Sequence, residues 1–121
     1  MEDYLRIAIF IGLLQAIEGY LLLRAAGRIN IYTTITSLIE FGWVIATVYY
    51  LLTENFTTWG IAIACAYLSY NLLGWIKSKD LVKDIQSPED MDSFRIPKAY
   101  AMASLVFGLL YSLACALTLS Q

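Results

Sequence analysis

Four stretches of about twenty mainly apolar residues, each long enough to carry a helix across roughly 30 Å of hydrocarbon, occupy most of this 121-residue chain. They run from Tyr4 to Leu23, Ile31 to Leu52, Phe56 to Ile76 and Pro97 to Leu119, and leave no room for a separate soluble domain. Hydrophobic residues make up 60% and charged ones 15%, against about 45–50% and about 25% in soluble domains. The sequence therefore predicts an all-α, polytopic integral membrane protein: one four-transmembrane-helix bundle over residues 1–121. The first stretch lacks a basic tail, because Glu2 and Asp3 precede Arg6, and Glu18 interrupts its apolar run. It reads as a retained span rather than a signal peptide, although Ala25-Ala26-Gly27 mimics a cleavage site.

Lys and Arg in short loops set orientation. Arg24 and Arg28 fall between spans one and two; Lys77, Lys79, Lys83, Arg95 and Lys98 fall between spans three and four. Of the eight basic residues that leaves Arg6 alone on the other side. The expectation is N-out/C-out in a plasma or inner membrane, with loops 24–30 and 77–96 cytoplasmic. The acids of the longer loop (Asp80, Asp84, Glu89, Asp90 and Asp92) contribute little to this rule. Tyr4, Tyr49, Tyr50, Phe56 and Trp59 are expected in an outer aromatic belt, and Tyr32, Trp75, Phe94 and Tyr100 in an inner one. Asn55-Phe56-Thr57 matches a glycosylation acceptor but lies at the membrane surface and reads as a turn.

Loop 77–96 is the one sizeable connection. Its first part, Asp80–Ile85, continues the third helix in the pattern, and Ser87-Pro88-Glu89-Asp90 reads as a helix start: a capping Ser, Pro at the first position, acids in the first turn. A short amphipathic surface helix is expected there, with Pro88, Met91 and Phe94 contacting the membrane surface or a partner.

Helices in lipid associate through small residues and interhelical hydrogen bonds, since lipid tails are as apolar as leucine. Each span carries such residues at helical spacing: Ala8, Gly12, Gln15 and Gly19; Thr33, Ser37, Glu40 and Thr47; Gly60, Ala64, Tyr67, Asn71 and Gly74; Ala101, Ser104, Gly108, Tyr111 and Cys115. These faces are expected to converge on one axis. A faint parallel two-plus-two repeat accompanies them, since a shift of 53 residues lays Glu18 over Asn71 and Arg24 over Lys77, and Ser37–Gly42 resembles Ser104–Gly108.

Glu18 and Glu40 carry most of the functional information. A charge near the bilayer centre costs from roughly 3 to above 10 kcal/mol. At 1.5 Å per residue, Glu40 lies about 15 Å past Asn30, near mid-bilayer, and Glu18 and Asn71 lie about 9 Å from Arg24 and Lys77 respectively. Gln15, Glu18, Glu40 and Asn71, with Ser37 and Tyr67, are expected to form one buried polar cluster open toward the cytoplasm. No Lys or Arg lies deep in any span, so the acids either stay protonated and glue helices together or hold a proton, metal ion or organic cation in passage. The glutamate in the first of four spans resembles that of the small multidrug-resistance exporters in type and depth. The twenty-residue loop and strong charge bias depart from their short loops and weak bias, and none of their function is carried over.

The absence of histidine removes imidazole-ligated haem, His-type zinc sites, Ser-His-Asp triads and imidazole proton relays. Cys65 and Cys115 form no C-x-x-C motif and read as buried apolar side chains. With a net charge of −2 and no basic patch, nucleic acid is not a partner. No catalytic residue, metal site or cofactor is expected. The expected function is a small transport or channel protein that binds a proton or cation at its glutamates, acting as a homo-oligomer or with partner membrane subunits. The alternatives are a non-catalytic accessory or scaffold subunit and, last, a lipid-modifying enzyme.

Overall fold

The computed structural model describes residues 1–83 and 85–121, the side chains of Met91 and Asp92 excepted. Helices α1 (Glu2–Arg24), α2 (Ile31–Thr53), α3 (Thr58–Val82), α4 (Pro88–Ser93) and α5 (Lys98–Leu119) follow one another, with no strand among the described residues. All but α4 are long and apolar enough to cross a membrane. Leu52, Ile31 and Phe10 are 80%, 78% and 72% exposed. Such side chains suit contact with acyl chains rather than water.

The helix ends have local causes. Asn30 caps α2: its side-chain oxygen accepts from the Thr33 N–H at 3.0 Å, and its own N–H donates to Thr33 Oγ1 at 3.0 Å. Thr57 caps α3 by accepting from the Gly60 N–H at 3.1 Å. The third span thus starts two residues later than expected and runs past Ile76 to Val82, taking in only Asp80–Val82 of the expected Asp80–Ile85 continuation. That gives the Asn55-Phe56-Thr57 triplet a turn-and-cap role. Pro97 precedes α5 as its N-cap rather than being its first residue. Ser87 Oγ accepts from the Asp90 N–H at 3.3 Å, starting α4 where its sequence placed it. Pro88 is exposed there and Phe94 half-buried, whereas the expected lipid contact of Met91 lies outside the described side chains.

Helix α1 ends in a tight reversal. Gly27 N–H donates to the Leu22 carbonyl at 2.7 Å and Ala26 N–H to that of Leu23 at 3.3 Å, while Ala26 and Gly27 take φ of 53° and 86°. This is the Schellman pattern. A Cβ on Gly27 would strike the Ile96 backbone, whose N–H donates to the Gly27 carbonyl at 2.9 Å. The two loops are thereby joined at one end of the bundle, here the loop end. The opposite, terminal end holds both chain termini and the α2–α3 turn, where the Met1 amino group is 2.8 Å from Glu54 Oε1.

Around the bundle, α1 packs on α2 and α5, and α3 packs on the same two. The four sides are unequal. Helices α1 and α5 run antiparallel with their backbones nearly touching: a Cβ on Gly108 would lie 2.5 Å from the Gly12 carbonyl oxygen, and one on Gly19 2.6 Å from that of Ala101. Ser112 Oγ also donates to the Ile9 carbonyl at 2.7 Å. Across the ring, Gly42 of α2 and Gly74 of α3 face open space. Half of the apolar window of α1 is buried but only 17% of that of α2. A two-plus-two repeat would make the α1–α5 and α2–α3 pairs equivalent, and the packing does not follow it.

The stripes of α1 and α5 face inward, Ser104 being half-buried. In α2 the expected stripe needs correction. Thr33, Thr36, Trp43 and Thr47 are buried, Glu40 is half-buried, and Ser37 is exposed with its hydroxyl donating to the Thr33 carbonyl at 2.8 Å. In α3, Gly60, Ala64, Tyr67 and Asn71 are buried but Gly74 is not. Two further expectations fail. Tyr4 is not a belt residue but is wholly buried, and Cys65 is exposed on α3, leaving Cys115 as the buried thiol.

Candidate functional site

Polar side chains fill the bundle axis in two zones of different character. Toward the terminal end, Tyr4, Thr47, Tyr67 and Cys115 are wholly buried, and Tyr111 and Trp43 nearly so. Here the hydroxyls satisfy one another. Trp43 Nε1–H donates to Tyr111 OH at 3.1 Å; Tyr111 OH and Tyr4 OH share a hydrogen bond of 2.7 Å; Tyr4 OH and Thr47 Oγ1 share another of 3.1 Å. Tyr4 stacks on Trp43 with ring centres 4.9 Å apart, and Tyr67 on Tyr111 at 4.8 Å. The hydrogen-bonded run draws on α1, α2 and α5, and the stacked Tyr67 adds α3, so this zone ties all four long helices together.

Toward the loop end the axis opens into a cavity of about 390 Å³. Helix α1 contributes Gln15 and Glu18 to its wall, α2 Ser37, Glu40 and Phe41, α3 Tyr70, Asn71, Trp75, Lys77 and Ser78, and α5 Tyr100 and Ser104. The carboxyl groups of Glu18 and Glu40 lie side by side, within direct reach of each other. Thr36 Oγ1 stands 2.9 Å from Glu18 Oε2 and 2.9 Å from the Thr33 carbonyl oxygen, so its single proton serves one acceptor at a time. Glu40 Oε1 and Gln15 Oε1 are buried without any hydrogen-bond partner. Gln15 is 3% and Glu18 9% exposed.

Five of the six residues expected in a polar cluster thus line one cavity: Gln15, Glu18, Ser37, Glu40 and Asn71. Tyr67 does not line it. Its hydroxyl donates to the Glu40 main-chain carbonyl at 3.3 Å, and its ring belongs to the terminal-end stack. Asn71 Nδ2 donates to the Tyr67 carbonyl at 2.9 Å, one turn back on its own helix.

The aromatic wall escaped the sequence reading. Phe41 and Trp75 pack with ring centres 5.6 Å apart, and Tyr70 hydrogen-bonds Ser104 at 3.2 Å while stacking on Phe107. The available signal was the α3 series Tyr70, Asn71, Gly74, Trp75 and Ser78, which follows one helical face beyond the residues chosen.

Among the described residues no three Asp, Glu, Cys or His side chains converge. The oxygens that could hold a cation come instead from two carboxyls, two amides and nearby hydroxyls. A second hollow, of about 530 Å³, adjoins the α1–α2 reversal and is lined by Leu22, Leu23, Ala26, Gly27, Ile96, Lys98, Ala101 and Met102. No acid lines it. Comparison of the chain with protein-family models, with curated proteins and with solved structures found no match in any of the three.

Proposed function

We propose that this protein moves a cation or proton across a membrane, using Glu18 and Glu40 as its binding pair. One observation carries the reading: two adjacent carboxyl groups, one with an unpartnered buried oxygen, form part of the wall of an open cavity rather than sealing a dry helix contact. Acids serving only as helix glue would be expected to spend all their hydrogen bonds on neighbouring helices; Glu18 spends one on Thr36 of α2, whereas Glu40 Oε1 has none. A site that holds a passenger leaves acceptors waiting.

The Lys and Arg bias puts the loop end in the cytoplasm, so the cavity faces that side in the state described. The satisfied cluster around Tyr4 and Tyr111 then bars passage to the far side, and delivery requires those hydrogen bonds to part. The apolar faces of α2 and α3 meet lipid or a second copy of the chain. A transporter needs both states; an accessory subunit needs neither the cavity nor the idle acceptors.

Reconstitution into liposomes tests the proposal. Under an imposed proton or cation gradient, the wild-type chain gives flux, and Glu18→Gln and Glu40→Gln each reduce it to the level of empty vesicles. Unchanged flux in both variants refutes it, as does a wild-type chain that is folded, inserted and silent toward protons, sodium and organic cations alike.

A further inference from the structure

The cavity is far larger than a bare ion requires. A metal ion is gripped by oxygens at about 2.0–2.6 Å, whereas 390 Å³ falls within the roughly 300–1,000 Å³ of small-molecule pockets. Its walls are also of two kinds. Glu18, Glu40 and Gln15 supply acceptors, while Phe41, Tyr70, Trp75 and Tyr100 supply aromatic surface. Two acceptors, Glu40 Oε1 and Gln15 Oε1, are buried on different helices and bonded to nothing. Gln15 is a neutral group, and its idle carbonyl oxygen asks for an N–H or O–H donor rather than for positive charge alone.

Resting on the transport reading above, we propose that the cavity binds a protonated primary amine bearing an aromatic or similarly flat apolar group. A primary ammonium carries three N–H donors. One is directed to Glu40 Oε1 and one to Gln15 Oε1, and the third goes to Glu18, whose Oε2 already has Thr36 beside it. The apolar portion lies against Trp75, Phe41 and Tyr100, where ring faces also favour the nearby positive charge. Unlike a quaternary ammonium, such a ligand uses the amide; unlike a free metal ion, it fills the walls.

Calorimetric titration of the purified full chain with a short ligand series provides the test. Phenethylammonium is expected to bind most tightly. Its N-trimethylated analogue, which keeps charge and ring but has no N–H, binds about tenfold or more weakly, the loss expected when hydrogen bonds to a charged group are removed. Methylammonium, without the ring, also binds more weakly, and neutral 2-phenylethanol does not bind. Gln15→Leu reduces the preference for the primary over the quaternary amine, and Tyr100→Leu weakens phenethylammonium more than methylammonium. The wild-type series decides the matter even if a variant fails to fold.

Equal or tighter binding of the trimethylated compound overturns the inference, because the idle acceptors would then have no part in recognition. Glutamate-dependent flux of protons or sodium, together with no binding of phenethylammonium, overturns it while leaving the transport proposal standing. Loss of both signals removes both.

Discussion

The two halves of the bundle axis use the same vocabulary, tyrosine, threonine and tryptophan beside a few strongly polar groups, to opposite ends. At the terminal end Trp43, Tyr111, Tyr4 and Thr47 form a closed run in which each polar atom has a partner. At the loop end Gln15 and Glu40 present buried oxygens with none, beside a cavity. Unpartnered groups in a low-dielectric interior cost free energy. The first half therefore reads as the part that holds the fold, and the second, under the transport proposal, as the part that spends some of that stability on binding.

Packing divides in a related way. The α1–α5 seam is so close that glycine is required, while Gly42 of α2 and Gly74 of α3 face open space. One chemical change should therefore have opposite signs on the two sides. Gly108→Ala places a Cβ against the α1 backbone and is expected to cost about 1–3 kcal/mol of overpacking strain. Gly42→Ala meets nothing and should gain about 0.5–1 kcal/mol from helix propensity. Thermal unfolding in detergent reads both, and equal shifts of the same sign would contradict the unequal seams.

A second pair of variants separates holding from binding. Tyr111→Phe removes the hydroxyl that Trp43 and Tyr4 share and is expected to destabilise by about 1–2 kcal/mol. Glu40→Gln keeps the shape but removes a carboxyl with an idle oxygen, and should leave stability unchanged or raise it while abolishing flux. If Glu40→Gln destabilises as much as Tyr111→Phe, the glutamate is glue and the contrast between the halves collapses.

Solvent access supplies the smallest and most local of these effects. With the native cysteines replaced by serine, Ser104→Cys on the cavity wall should react with a small hydrophilic thiol reagent at least about tenfold faster than Thr47→Cys in the satisfied cluster, since thiol reactivity follows exposure. Mass spectrometry of the labelled protein measures the rates. Comparable rates would mean that water reaches both halves.

How much of this was legible beforehand varies residue by residue. The inward faces of α1 and α5 were, because Gly12, Gly19 and Gly108 leave lipid-facing chemistry no use for them and close packing every use. On α2 the expected face is right at Thr33 and Thr47 but takes Ser37 where Thr36 is the buried residue. Positions 36 and 37 lie on neighbouring sides of a helix, and Thr and Ser can each satisfy a hydroxyl on a preceding carbonyl of their own helix, as both do here. Polarity therefore cannot choose between them. Tyr4 misled for a related reason, which Trp43, given no place beforehand, shares. An amphipathic ring is at home at the membrane interface or in the core if its polar tip finds a partner, and the partner, Tyr111, lies 68 residues from one and 107 from the other.

Alone, the sequence determined that four helices form, roughly where each begins and ends, that they suit a bilayer, and that two acids must be accounted for inside it. Those properties follow from hydropathy, length, caps and turns, which act over a few residues. Only the tertiary structure decided that Glu18 and Glu40 stand together, that aromatic rings wall their cavity, and that the far half is sealed. Those outcomes depend on helix rotation and on which side chains meet across the axis. Rotation is set by the summed contacts of all four helices, a quantity that no single segment contains.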